Sequence, residues 1–224
     1  MVRPINVTTL LFWVVLAVAN PYPVPCEQLD KYSTQWFLDH ALPSFKNPFS
    51  DDALFYTRDM TNQAIKYAKS YNLITIWDVW PCELYNYNNT PDNPMRCIHN
   101  EKSLRTVYYE NMSRAFAMKA NGSAIVMHGL KDYDKPPLDG IWGRVELPTI
   151  KKVANVDWLA KIKESGDGYL LFWWRYYDGM TEWFKQQSRL SSYMELKKLK
   201  RRDLQAPTYC MRPEEYGFFN NVDW

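Results

Sequence analysis

A long helical pattern, followed almost at once by an apolar strand pattern, limits the folds open to this chain of 224 residues. Residues 103–120 place Tyr108, Met112 and Phe116 on one face at helical spacing. Residues 123–128 then form an apolar run that is typical of a buried strand. A helix that returns directly into a strand is the building unit of folds that mix helices with a sheet.

Similar patterns predict the other elements, and Ser103 is the expected N-cap of the long helix. They are helices over 59–71 and 181–202, strands over 143–147 and 169–174, and a buried strand or extended segment over 73–79. We therefore predict a single α/β (α+β) domain. Its N-terminal half is helical and is followed by a short, mainly parallel sheet flanked by helices.

The N-terminus has the features of a secretory signal peptide. Arg3 precedes the apolar run Leu10–Ala19, which ends in Ala17-Val18-Ala19, a pattern that signal peptidase reads. Ten apolar residues are too few to span a membrane as a helix. We expect residues 1–19 to be removed and residues 20–224 to be secreted as an extracellular domain without a stable membrane anchor.

The four cysteines fit an extracellular protein, although four thiols allow three pairings. Cys82 and Cys97 bracket a polar, turn-rich stretch, which favours a local disulfide between them and leaves Cys26 to pair with Cys210. A zinc site would need cysteine pairs at short spacing, and the sequence has none. In the expected mature chain, three N-x-S/T motifs, at 88–90, 111–113 and 121–123, are candidate glycan acceptors.

Composition excludes some functions and favours a pocket. Lys and Arg total 27 against 25 Asp and Glu, so nucleic acid is not the expected partner. Aromatic residues reach 16%, which is typical of a ligand pocket or an aromatic-packed core. The sequence contains no phosphate-binding glycine loop, no G-x-S-x-G and no H-E-x-x-H motif. Carboxylates beside aromatic residues remain as the candidate chemical groups.

Two such carboxylates are Asp78, next to Trp77, and Glu146, which follows Trp142 within an apolar stretch. A charge in the middle of an apolar strand is costly unless it faces solvent or has a task. The alternation of Trp142, Arg144 and Glu146 is also compatible with the solvent-exposed face of a strand. The residue pattern alone leaves both interpretations open.

Four segments in order resemble motifs of the ADP-ribosyl cyclase family, the secreted or surface enzymes that cleave NAD+. Residues 54–58 (LFYTR) are similar to L-L-W-S-R, and residues 75–78 (TIWD) are similar to T-L-E-D. Residues 108–116 (YYENMSRAF) resemble F-W-x-x-x-S-R-x-F, and residues 141–147 (IWGRVEL) resemble T-F-G-S-V-E-V. The resemblance extends over about residues 54–150, and the spacing of Cys82 and Cys97 also resembles a local disulfide of the family.

The resemblance implies NAD+ as substrate, with neither a cofactor nor a metal. It implies that Glu146 is the catalytic carboxylate. The implied substrate-binding residues are Tyr56 and Tyr109 as stacking rings, Trp142 beside Glu146, Arg58 and Ser113 for the pyrophosphate, and Asp78 for the carboxamide. Trp77 stands where the family has an acidic residue linked to the balance between cyclic and linear product.

Two other functions stay open. The chain could be a catalytically inactive secreted binding or effector protein on the same scaffold. Transfer of ADP-ribose to proteins is the other alternative, but its usual E-x-E motif is missing because Arg144 precedes Glu146 by two positions.

Overall fold

Strand β3, Ala120–His128, pairs with β1 (Phe49–Ser50) and β2 (Ala53–Tyr56) on one side and with β4 (Asn155–Lys163) on the other in the six-stranded sheet of the computed structural model. The structure describes residues 31–50, 52–57, 60–86, 93–98, 100–136, 138–153, 155–165, 168–175 and 181–186. The other strands are β5 (Gly168–Arg175) and β6 (Thr181–Gln186). Both β1 and β2 pair with β3 in parallel, and so does β4, whereas β5 and β6 continue the sheet in antiparallel pairing.

Six α-helices precede or connect these strands in the described part of the chain. They are α1 (Thr34–Asp39), α2 (Thr61–Tyr71), α3 (Ile76–Val79), α4 (Pro94–Ile98), α5 (Lys102–Lys119) and α6 (Leu147–Lys152). A π-helical turn, Trp142–Glu146, leads directly into α6. Contacts within the local sequence fix some of the helix ends. Ser33 Oγ accepts a hydrogen bond from the Trp36 N–H and caps α1, and Asn72 ends α2 in the left-handed conformation.

Helix α5 packs against α1 on one side and against the sheet on another. The ring of Phe116 lies 4.9 Å from that of Phe55 on β2, measured between centroids. Near the start of the helix, Tyr108 contacts Phe37 of α1 at 5.2 Å. These residues are all buried, so α5 joins the N-terminal helices to the sheet through one apolar core.

The predicted mixture of helices with a mostly parallel sheet is confirmed. Helices α2 and α5, strand β3 and strand β5 lie where the sequence patterns predict them. The N-terminal half is not purely helical, because β1 and β2 lie within it. Helix α5 begins at Lys102 with Glu101 as its N-cap, so the expected cap at Ser103 is wrong.

The predicted strand over 143–147 is wrong, since these residues form most of the π-helical turn and the start of α6. Side chains at 142, 145, 146, 149 and 150 are all buried. That spacing is helical, and the apparent alternation of Trp142, Arg144 and Glu146 is therefore accidental. The solvent-face interpretation is also wrong, because Trp142 and Glu146 are buried while Arg144 is exposed.

Two further predictions need correction. Within 73–79, Ile74 forms an isolated bridge with Ala53, but Ile76–Val79 is helix α3 rather than strand. Residues 181–186 form strand β6 instead of the start of a helix, with Phe184 and Trp183 in register with Phe172 and Trp173 of β5. Aromatic residues favour strands, and a neighbouring strand supplies the hydrogen bonds that local sequence cannot reveal.

The rest of the predicted 181–202 helix, the signal peptide at 1–19, and Cys26 and Cys210 lie outside the described residues. Cys82 and Cys97 are both disulfide-bonded, and no described cysteine is free. The pairing of the four cysteines stays a prediction. Within the described ranges, no helix is long and apolar enough to cross a membrane.

Gly143 provides a test of how tightly the π-helical turn packs. A Cβ atom at this position would collide with the backbone Cα of Leu138. We expect Gly143→Ala to lower the free energy of unfolding by about 1–3 kcal/mol, since backbone must move to admit the methyl group. Gly129→Ala is the matched control, because its Cβ would meet the flexible Met60 side chain at 3.4 Å. Denaturant unfolding should separate the two variants, and equal effects would contradict this close approach.

Candidate functional site

A narrow pocket lies between β2, α3, α5 and the π-helical turn. It is lined by Leu54, Phe55, Tyr56, Ile76, Ser113, Phe116, Ile141 and Glu146. The walls are mainly aliphatic and aromatic, while Ser113 and Glu146 bring a hydroxyl and a carboxyl group. Such a combination of apolar walls and a few polar groups is typical of small-molecule sites.

Glu146 ends the π-helical turn, which directs its carboxyl group into this pocket. Its side chain is only 7% exposed. Burial raises the pKa of Glu146 from 4.5 to about 8, because the ionised form loses its hydration. The nearby Ser113 hydroxyl partly offsets that rise. The carboxyl group is therefore mostly protonated at neutral pH.

Ser113 projects from α5 into the same pocket. Its Oγ is buried and has no partner at ordinary hydrogen-bond distance among the described residues, but it lies close enough to the Glu146 carboxyl group for a long hydrogen bond that lowers the pKa of that group. A buried hydroxyl without a partner is costly in a native protein. The pocket thus offers a bound molecule one hydroxyl group without a short hydrogen bond and one buried carboxyl group.

Tyr56 on β2 supplies an aromatic wall that a second aromatic residue holds in place. The indole Nε1–H of Trp77 donates to Tyr56 Oη, and Tyr85 Oη donates to the Trp77 carbonyl at 2.7 Å. The rings of Trp77 and Tyr109 are 6.2 Å apart. Tyr109 Oη in turn contacts Met95 Sδ at 3.3 Å, and burial raises the pKa of Tyr109.

Other site residues named from the sequence lie farther from the pocket. Asp78 Oδ2 accepts hydrogen bonds from the Thr75 N–H at 2.8 Å and from Thr75 Oγ1 at 2.7 Å, so its observed contacts hold the start of α3. Trp142 is buried behind the pocket wall, with its ring 5.6 Å from that of Phe55. Arg58 lies outside the described residues.

The structure thus brings Tyr56, Ser113 and Glu146 together around one pocket. Trp77 joins this group through Tyr56, and Tyr109 joins it through Trp77. Asp78 and Trp142 are neighbours of the pocket and do not line it. Ile141, which does line it, has no chemical signature that sequence analysis could recognise; its contribution depends on the π-helical turn.

Sequence analysis also missed a buried polar pair at the carboxyl ends of two parallel strands. Thr57 Oγ1 and His128 Nδ1 are 3.0 Å apart, directly after β2 and at the end of β3. Burial first, and the charge of Lys161 second, lower the pKa of His128 to about 4. The imidazole is therefore neutral at physiological pH. In the sequence, this pair is indicated only by the histidine at the end of an apolar strand pattern.

Comparisons with protein-family models, curated proteins and solved structures found no match to this chain. The resemblance to ADP-ribosyl cyclases accordingly depends on the short motifs alone. Within the part of the chain that the structure describes, no cluster of His, Cys, Asp and Glu side chains could hold a metal ion.

The raised pKa of Glu146 has a consequence for stability that is independent of any activity. Between its unfolded pKa near 4.5 and its folded value near 8, the folded state keeps a proton that the unfolded state loses. The contribution of Glu146 to the free energy of unfolding is therefore greatest below pH 4.5. It falls by about 1.4 kcal/mol for each pH unit from there up to roughly pH 8. Glu146→Gln cannot ionise and should lack this loss.

Denaturant unfolding of the wild type and Glu146→Gln at pH 5 and pH 8 measures the difference. The variant should gain stability relative to the wild type by several kcal/mol as the pH rises. Parallel pH profiles of the two proteins would show that the carboxyl group is not buried as described.

Proposed function

We propose that the protein is a secreted enzyme that cleaves NAD+, releasing nicotinamide and forming ADP-ribose, cyclic ADP-ribose or both. The proposal combines the motif resemblance with one observation. The buried carboxyl group of Glu146 and the Ser113 hydroxyl, which has no short hydrogen bond among the described residues, share a pocket whose other walls are apolar or aromatic. Secretion, the two disulfides and glycosylation belong to the same proposal. The partner is NAD+ as substrate, and no cofactor is required.

Cleavage of the bond between nicotinamide and ribose requires stabilisation of positive charge. The C1′–N bond breaks, its electron pair goes to the ring nitrogen, and neutral nicotinamide leaves an oxocarbenium-like ribose. Water then captures that carbon to give ADP-ribose and a proton, or the adenine base captures it to give the cyclic product. An ionised Glu146 facing this charge in a dry pocket stabilises the transition state electrostatically.

Substrate binding itself favours the ionised form of Glu146. NAD+ carries a positive pyridinium ring, and a cation close to a buried carboxyl group lowers the pKa of that group. Entry of the ring would therefore release the proton that the buried carboxyl group retains. Tyr56 offers this ring an aromatic face, which is worth about 0.5–2 kcal/mol for a cation.

The remaining roles follow from the resemblance. Ser113 would donate its hydroxyl to the pyrophosphate, together with Arg58. Tyr109 and Trp142 are buried and do not line the pocket, so they would stabilise its walls instead of stacking on the substrate. The carboxamide contact of Asp78 rests on the resemblance alone, since its carboxylate is bonded to Thr75 at the start of α3.

A binding protein without catalytic activity is the second candidate, and a specific observation favours it. A carboxyl group that is protonated at neutral pH in a narrow apolar pocket is suited to holding a neutral ligand through a hydrogen bond. Such a protein would bind without breaking a bond. Release of nicotinamide distinguishes the two functions directly.

The decisive experiment incubates the purified protein with NAD+ and measures free nicotinamide by chromatography. Glu146→Gln should reduce release by about 10²–10³-fold, because the charge opposite the ribose cation is lost. In the wild type, kcat/KM should rise with pH up to about 8 and then level off. Glu164→Gln, at an exposed position, is the matched control and should retain wild-type activity. Absence of release by the wild type would refute the enzyme and favour the binding protein.

Trp77 should influence the choice of product. Trp77→Phe keeps a ring beside Tyr109 but removes the donor that holds Tyr56 Oη, so the pocket wall becomes looser. Cyclisation needs the intermediate to be protected from water until adenine reaches it. We expect a smaller fraction of cyclic product in this variant. Trp36→Phe, on α1, is the control, and an equal ratio of products in all three proteins would contradict this role.

A further inference from the structure

The π-helical turn that carries Glu146 is held in place by the side chain of Arg144. Its Nη2 donates to Glu110 Oε1 of α5 at 2.9 Å, and its Nη1 donates to the backbone carbonyl of Asp139. The backbone N–H of Arg144 also donates to the Gly140 carbonyl at 3.0 Å. One residue thus connects the turn to α5 and to the loop before it.

These contacts join the two elements that supply the polar groups of the pocket. Glu110 lies three residues before Ser113 on α5, and Arg144 lies two residues before Glu146 on the turn. Residues three apart on a helix are neighbours on its surface, so the ion pair is close to the point where hydroxyl and carboxyl face each other. On the other side of the turn, Gly143 allows the Leu138 backbone to approach closely.

The geometry of the pair suits positioning better than stabilisation. The side chains of Arg144 and Glu110 are 41% and 25% exposed, and ion pairs at such positions contribute little to stability. The planar guanidinium nevertheless donates in two directions at once, which a lysine ammonium at the end of a flexible chain does not reproduce. A π-helical turn is an irregular element that needs such external contacts to keep one conformation.

We propose that Arg144 is a positioning residue, which with Glu110 fixes the π-helical turn so that the Glu146 carboxyl group faces the Ser113 hydroxyl. The effect of Arg144 on catalysis rests on the proposed function. Its effect on the position of the Glu146 carboxyl group is independent of that function. Among the described residues, the titratable groups on the elements around this arrangement include Tyr56 from β2, Glu110 and Arg114 from α5, and Asp139 from the preceding loop.

The test compares Arg144→Gln, Arg144→Lys and Glu110→Gln with the control Arg114→Gln. Arg114 lies on the same helix, and its hydrogen bond goes to Asn111 of that helix rather than to the turn. Carbon NMR titration of the Glu146 carboxyl group, assigned with Glu146→Gln, gives its pKa in each protein. We expect Arg144→Gln to lower this pKa by about one pH unit or more, since a looser turn admits water. In Arg144→Lys and Glu110→Gln, the pKa of Glu146 should lie between its value in Arg144→Gln and its value in the wild type.

Release of nicotinamide is measured at pH 9, where the carboxyl group is ionised in every variant. There we expect kcat to fall by about tenfold or more in Arg144→Gln with little change in KM, because misplacement of a reacting group reduces the rate after binding. If the wild type releases no nicotinamide, the proposed function fails and the NMR titration still decides the positioning role. Equal Glu146 pKa values in Arg144→Gln, Arg114→Gln and the wild type would overturn the proposal.

Discussion

The contact between α5 and the sheet is the constraint on which the other features depend. Phe116 lies against Phe55 of β2, and the same helix contacts α1 through Tyr108. Because α5 is a rigid rod, this packing also fixes the side chains on its neighbouring faces. Ser113 and Tyr109 take their places from it. The pocket is therefore a consequence of how one helix packs rather than of a flexible loop.

The buried carboxyl group is the feature that packing alone does not explain. A core that needed only volume at this position would be filled better by an apolar side chain than by Glu146. Its neighbour Ser113 is equally expensive, since its hydroxyl lacks a short hydrogen bond among the described residues. Two costly polar groups side by side are typical of sites that bind or transform a molecule.

The π-helical turn shows how a local pattern misleads. Alternating Trp142, Arg144 and Glu146 suggest a strand, yet the buried positions at 142, 145, 146, 149 and 150 follow a helical period. In a segment this short, the two periods share several positions. What decides between them is non-local: the Leu138 backbone against Gly143, and Glu110 of α5 against Arg144.

Elements with a long, local signal could be predicted from the sequence alone. Helix α5, helix α2 and strand β3 follow from periodicity over their own residues, and with them the mixed α/β class. Tyr56, Ser113 and Glu146 were also identifiable as candidates from short motifs. Tertiary structure alone decided that these three share a pocket, that Asp78 binds the start of α3, and that 181–186 is a strand. The physical reason is that burial, hydrogen-bond partners and strand pairing come from residues distant in the chain, which no local pattern contains.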